Sequence, residues 1–187
     1  NRKTDMSNND GLVSRIITKL HQHKAKEFGK LKYAPNFNKA SRFILVWDSS
    51  CSPAETKAIK EYIEYLKNAG KQVIRIIYFN VKTTEETPLV PEVNTYHVGK
   101  WDFDRTGFPK AEDLKNVLLQ DTDFFISLDL NGNWQFLGMA SVCKAACKVG
   151  PYNLKHLGNY DVLIKPTEKN SMNQYLCDLK EHLNKLA

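Results

Sequence analysis

Two carboxylates stand where apolar runs of strand length end. Asp48 follows "RFILVW", and Asp129 lies at the end of "DFFISLDL". Ligands of an open parallel sheet bind outside the carboxyl ends of its strands, near the switch in strand order. Two acids there could hold a divalent cation or share a proton. The ligand-binding candidates at the predicted strand ends are Asp48, Ser49, Ser50, Asn80, Asp129, Asn131 and Asn133.

The same residue types also build turns, because Asp, Asn and Ser are what strand-to-helix connections use. In "DLNGN", Asn131 and Gly132 are predicted to make the tight turn and Asn133 to cap the next helix. We therefore favour turn and cap roles for Asp48 and Asp129, with ligand binding as the alternative.

An enzyme acting on a phosphorylated or sugar substrate through Asp48 and Asp129 stays open, with Lys82 or Lys165 as its anion contact. Cys51 precedes a predicted helix, where the helix dipole would lower a thiol pKa. Lys57, and not Arg, stands six residues further on, so the phosphatase loop is absent. The GxGxxG, GxxxxGK[ST], GxSxG and HExxH motifs are absent as well, and no cofactor is predicted.

A second group of candidates lies in "YHVGKWDFDRTGFPK". Functional residues favour loops held by a rigid scaffold, so this mixture of charge and aromatic rings could recognise a ligand or partner. We favour a structural role for the rings, since large aromatic side chains are usually buried. The loop candidates are His97, Trp101, Asp102 and Arg105.

The formal net charge of +6 comes from the N-terminal segment, where residues 11–42 hold eight basic residues against Glu27. Such a segment could bind RNA or anionic lipid, although no nucleic-acid motif is present. We favour a solvated basic face. The basic candidates are Arg15, Lys19, Lys24, Lys26, Lys30 and Lys32.

The four cysteines are Cys51, Cys143, Cys147 and Cys177. No second Cys or His pair stands at zinc-site spacing from Cys143 and Cys147, and His156 is the lone candidate for a third ligand. We interpret them as small hydrophobic residues and predict no metal. No apolar run reaches membrane-span length, which predicts a soluble, cytoplasmic protein.

Strands and helices alternate along the rest of the chain. Apolar residues recur at helical spacing from Leu12 to Leu20, and a linker is predicted from His21 onward. The predicted organisation is a basic N-terminal helix and linker (1–41) followed by one α/β domain (42–187). In the next helix Ser52 and Glu55 are spaced as a capping box, Pro53 suits the first position and Gly70 the end.

Further helices are predicted from Ala111 to Leu119 and from Trp134 to about Ala145, then short strands at "CKV" and "DVLIK", and a last helix after Ser171. This alternation predicts an α/β fold, a three-layer α/β/α sandwich with a mainly parallel, Rossmann-like or flavodoxin-like sheet.

The segments "WDFDRTGFP", "TDFFISLDLNGNWQFLGMASVCKAACKVGPY" and "YDVLIKP" resemble a family of small bacterial cytosolic proteins of unknown function. The resemblance runs from about Arg42 onward and is strongest from Trp101 to Lys165; it implies no activity. More distantly, the central unit is similar to the acceptor-side domain of lipopolysaccharide heptosyltransferases. The residues in comparable places are Asp123, Ile126, Leu128, Asp129, Val149 and Gly150.

Those transferases bind their sugar nucleotide with a second domain, for which this chain is too short, so the resemblance implies shared architecture without glycosyl transfer. The leading hypothesis is a non-catalytic α/β domain that binds a small anionic ligand or a protein partner at the strand carboxyl ends. It depends on the segments after Trp47 and Leu128 lying close together.

Overall fold

The computed structural model describes residues 4–28, 36–79, 92–153, 158–168 and 171–186, and on the first helix it describes the side chains of Ser14 to Lys26. The strands in this part of the chain are β1 (Arg42–Asp48), β2 (Gln72–Phe79), β3 (Thr95–Gly99), β4 (Thr122–Ser127), β5 (Ala145–Pro151) and β6 (Val162–Ile164). The helices are α1 (Thr4–Phe28), α2 (Pro53–Asn68), α3 (Glu112–Leu118), α4 (Trp134–Val142) and α5 (Met172–Asn184), with a short 3-10 helix at Lys100–Asp102.

The described strands form one parallel sheet in the order β3-β2-β1-β4-β5-β6. From β1 the chain builds outward to β2 and β3, and it then crosses back to place β4 on the other side of β1. This is the Rossmann strand order, and not the flavodoxin order, so the switch point lies between β1 and β4. The predicted α/β class with a parallel sheet is confirmed.

Both faces of the sheet are covered, which explains why its central strands are apolar on both sides. Six of the seven residues of β1 are buried. One face packs against α2 and α5 in a cluster that includes Leu45, Ile126 and Tyr175. The other face packs against α3 and α4, and α1 in turn packs on α4.

Helix α2 begins and ends at the residues that the sequence predicts. Ser52 Oγ accepts the Glu55 N–H at 3.3 Å, and the Glu55 carboxylate accepts the Ser52 N–H at 2.7 Å, so the capping box is formed. Pro53 is the first helical residue, and Gly70 has φ +75°, the left-handed conformation that ends a helix at low steric cost.

The predicted start of the linker at His21 is wrong, because α1 continues to Phe28. His21 and Ala25, one turn apart, are buried, and this inward stripe holds the helix on the domain. His21 Nε2 lies 2.6 Å from the Thr106 carbonyl, and its ring packs edge-on against Phe108 and Trp134. A polar sequence such as "HQHK" does not indicate that one of its side chains is buried.

The predicted extension of α4 to Ala145 is also wrong. The helix ends at Val142, Cys143 takes an extended conformation, and β5 begins at Ala145 because Thr122 and Phe124 of β4 pair with Ala145 and Cys147. None of the helices in the described ranges combines the length and the apolarity needed to cross a membrane.

Candidate ligand-binding cleft

Asp48 and Asp129 lie side by side at the switch point. Val46 of β1 pairs with Ser127 of β4. Asp48 and Asp129 each follow these paired residues by two positions, so the two acids lie next to each other. Between them is a cleft of about 90 Å³. Its lining residues are Asp48, Ser50, Cys51, Glu55, Leu128, Asp129, Leu130, Asn131 and Met172.

The carboxylate of Asp129 is used by the turn that follows it. One oxygen accepts the Asn131 N–H and the Asn133 side-chain amide, both at 3.1 Å, and the other accepts the Asn133 N–H. Gly132, at φ +80°, supplies the left-handed residue of this turn. Asn133 stands at the N-cap of α4 but donates to Asp129, so the prediction that its side chain caps the helix is wrong.

Burial raises the pKa of the Asp129 carboxyl to about 6, against the hydrogen bonds from Asn133 and Asn131, which lower it. The neighbouring charge of Asp48 raises it further. Asp129 is therefore ionised above about pH 6 and carries a proton on part of the molecules just below it.

The carboxylate of Asp48 is used only in part. Its Oδ1 accepts the Ser50 N–H at 2.8 Å, and within the described ranges its Oδ2 accepts no hydrogen bond. The side chain is nevertheless buried, with 8% exposed against 4% for Asp129. Backbone bonds hold the turn in place, since the Ser49 N–H donates to the Tyr78 carbonyl at 2.8 Å. One oxygen of Asp48 is thus able to accept a hydrogen bond from another group.

Glu55 adds a third acid to the cleft. The sequence predicted it only as a member of the capping box, yet the first turn of α2 starts at the same sheet edge as Asp48, so Glu55 also lines the cleft. The box occupies the Ser52 and Glu55 N–H groups, and Pro53 has none. The first turn of α2 therefore offers an anion fewer donors than an open helix N-terminus.

Among the described residues the cleft is negative, because its lining there holds three carboxylates and no Lys, Arg or His. The effect reaches Cys51, whose thiol pKa is raised to about 11 by burial and then by Glu55, Asp48 and Asp129. A thiol with this pKa is protonated near pH 7 and is a poor nucleophile. Its position before α2 therefore does not give Cys51 a lowered thiol pKa.

A second, shallower groove of about 440 Å³ adjoins the cleft at Cys51. It runs along the first turns of α2 and is lined by Cys51, Pro53, Thr56, Lys57 and Lys60. The negative cleft and the positive groove therefore adjoin each other at Cys51.

Several strand-end candidates lie elsewhere. Ser49 is exposed and, like Asn133, is not part of the cleft lining. Asn80 and Lys82 fall outside the described residues. Lys165 follows β6, which β5 separates from β4.

Of the loop candidates, His97 lies within β3 and the others follow it, two strands away from β1. Asp102 accepts the Gly99 N–H at 2.7 Å and so closes the 3-10 turn. The ring of His97 lies 5.5 Å from that of Phe79. Arg105 is exposed, and Trp101 keeps 51% of its surface exposed although it packs over Gly99. These residues are not part of the cleft lining.

Among the cysteines, Cys143 and Cys147 are buried, whereas Cys177 is exposed. In the described part of the chain, no three His, Cys, Asp or Glu side chains form a group suited to a metal ion. His156 lies outside that part. Of the basic candidates, Arg15, Lys19 and Lys26 are exposed, Lys24 is half-buried, and Lys30 and Lys32 are outside the described residues.

Residues 13–186 match the model of DUF6913, a family of unknown function, which confirms the predicted resemblance to such a family. No curated protein matches the chain. A solved structure of a glycosyl transferase family 9 protein from Veillonella parvula is similar at 15% identity and a TM-score of 0.48. The match covers 82% of this chain and 43% of that protein, so the chain spans less than half of its length.

Proposed function

Since the chain belongs to the DUF6913 family, whose function is unknown, we propose its function from the chemistry of the cleft: it is a non-catalytic α/β domain that binds a small ligand through a positively charged amino group. The observation that carries the proposal is the Oδ2 atom of Asp48: the residue is largely buried at the switch point, and within the described ranges this oxygen accepts no hydrogen bond.

Charge favours a cation over the anionic ligand that the sequence suggested. Asp48, Glu55 and Asp129 repel an anion, and an ammonium group donates to carboxylates in strong charge-assisted hydrogen bonds. The apolar side chains of Leu128, Leu130 and Met172 reduce the local dielectric constant and so strengthen these bonds.

Size limits what the cleft can hold. Its volume of about 90 Å³ is small beside the roughly 300 Å³ or more of ordinary ligand pockets, so it accepts a small group such as an amino group and not a whole ligand. The remainder of the ligand would lie in the adjoining groove, where Lys57 and Lys60 favour a negatively charged or polar end.

Two of the described lining residues favour binding without catalysis. Cys51 is protonated, and both oxygens of Asp129 accept hydrogen bonds from its own turn. Neither group is available to attack a substrate or to remove a proton.

The test is a titration of isotopically labelled protein with butylamine, butanol and butyrate, three probes of similar size and different charge, followed by amide chemical shifts. We expect only butylamine to shift the amides of residues 48–51 and 129–131. The Asp48→Asn variant should reduce this response about tenfold, as expected for one charge-assisted hydrogen bond.

Asp113→Asn, the same change at an exposed site on α3, is the matched control and should respond like the wild type. Equal shifts with butanol would point to a hydroxyl ligand instead of an amine. Shifts with butyrate alone would overturn the proposal.

A further inference from the structure

The outward face of α1 combines exposed apolar and basic side chains. Ile16 is 51% exposed and Leu20 47%, and they are one turn apart. Arg15, Lys19 and Lys26 are exposed and form the adjacent row, because a helix turns about 100° per residue. From Ser14 to Lys26 the sequence has no Asp or Glu.

The opposite face of α1 fixes this orientation. His21 and Ala25 are buried, and the imidazole of His21 contacts the Thr106 carbonyl and the rings of Phe108 and Trp134. Because the domain holds the helix by this stripe, Ile16 and Leu20 face solvent and do not enter the core.

We infer that this face of α1 binds an anionic lipid surface, with Arg15, Lys19 and Lys26 at the headgroups and Ile16 and Leu20 inserted between them. A helix that is basic on one row and apolar on the next is the arrangement that lies in a membrane interface. The positive charge of the segment complements anionic lipid.

The apolar pair favours lipid over other partners. Nucleic acid attracts the cations through its phosphates, but its backbone offers no gain for burying Ile16 and Leu20. A stable protein interface buries on the order of 800 Å² on each partner, far more than two half-exposed aliphatic side chains supply. A lipid surface, in contrast, is bound through few side chains and reversibly.

Flotation with phosphatidylcholine vesicles, with and without phosphatidylglycerol, tests the inference. We expect binding only to the anionic vesicles. Lys19→Gln/Lys26→Gln should lower the partition coefficient about 30-fold, from about fivefold for each basic residue near an anionic surface. Ile16→Ser/Leu20→Ser should lower it about tenfold, as expected for partial loss of two aliphatic contacts.

The matched controls lie elsewhere. Lys67→Gln/Lys185→Gln removes the same charge from α2 and the end of α5, on the other face of the sheet, and Leu119→Ser removes a 44% exposed leucine at the end of α3. Both should bind vesicles like the wild type. Circular dichroism and thermal melting establish that each variant is folded.

Three results would overturn the inference. These are no flotation of the wild type, binding to RNA that is insensitive to Ile16→Ser/Leu20→Ser, and a dimer in sedimentation velocity that the same variant dissociates. Asp48→Asn leaves this face unchanged and should float normally, so failure here is separate from failure of the proposed cleft.

Discussion

Asp48 ends β1 and Asp129 follows the neighbouring strand β4 by two residues, yet their carboxylates have different roles. Asp129 satisfies three N–H donors of its own turn, whereas Asp48 satisfies one and keeps Oδ2 for another group. The difference comes from the turns, since "DLNGN" folds back over its acid and "DSSCS" leads directly into α2. The same residue type at equivalent positions thus holds its own turn together in one case and keeps an oxygen without a hydrogen bond in the other.

The largest expected effect is on stability. Asp129→Ala should lower the free energy of unfolding by about 2 kcal/mol at pH 7, because it leaves the Asn131 and Asn133 donors without their acceptor. Asp48→Ala should cost less than about 1 kcal/mol, since it removes the acceptor of one N–H. Urea unfolding of both variants measures the difference. Equal decreases in the free energy of unfolding would contradict the different roles of the two carboxylates.

The next effect is on binding. Glu55→Gln keeps the capping box, because Gln also serves at that position, but it removes a charge from the cleft. Affinity for butylamine should fall about threefold, as expected for a charge at the edge of the site. Glu64→Gln, the same change on α2 outside the cleft, is the control. A fall of equal size in both variants would mean that general charge, and not the cleft, attracts the amine.

A third effect is on the pH dependence of stability. Because the pKa of Asp129 is raised to about 6 in the folded protein, its neutral form is favoured there, and this contribution is present at low pH and lost as the pH rises through about 6. The loss caused by Asp129→Ala should therefore be roughly 1 kcal/mol larger at pH 5 than at pH 7. Unfolding at the two pH values measures it, and a smaller loss at pH 5 would contradict the raised pKa.

The smallest effect is on the reactivity of Cys51. Asp48 and Glu55 help to raise its thiol pKa to about 11, so Asp48→Asn should increase its rate of alkylation about two- to threefold at pH 8. A Cys177→Ser background removes the exposed cysteine. Asp113→Asn in that background should react at the original rate. An unchanged rate in Asp48→Asn would show that the charge of Asp48 does not contribute to the raised pKa.

The sheet and its switch point could be predicted because apolar runs and cap signals are local. "RFILVW" and "QVIRIIYF" are apolar on both faces, which is typical of covered parallel strands, and Ser52, Glu55 and Gly70 bound α2. The closeness of Asp48 and Asp129 follows from this pattern once the strand order is known.

Other features depend on tertiary contacts that no local pattern encodes. The role of His21 requires Thr106, 85 residues away, and the lining role of Met172 requires α5 to pack beside the switch point. Lys148 is buried in β5, and its Nζ has no hydrogen-bond partner within the described ranges. The sequence alone does not predict that this lysine is buried. Burial lowers the pKa of this lysine.

A crystal structure of the protein soaked with butylamine would show directly whether Asp48 binds an amine. We expect the ammonium nitrogen within hydrogen-bonding distance of Asp48 Oδ2, with the Asp129 turn unchanged and the butyl chain directed toward Lys57. An ammonium group bound to Asp129 after its turn has opened, or an anion bound between the two acids, would overturn the proposed role of Asp48.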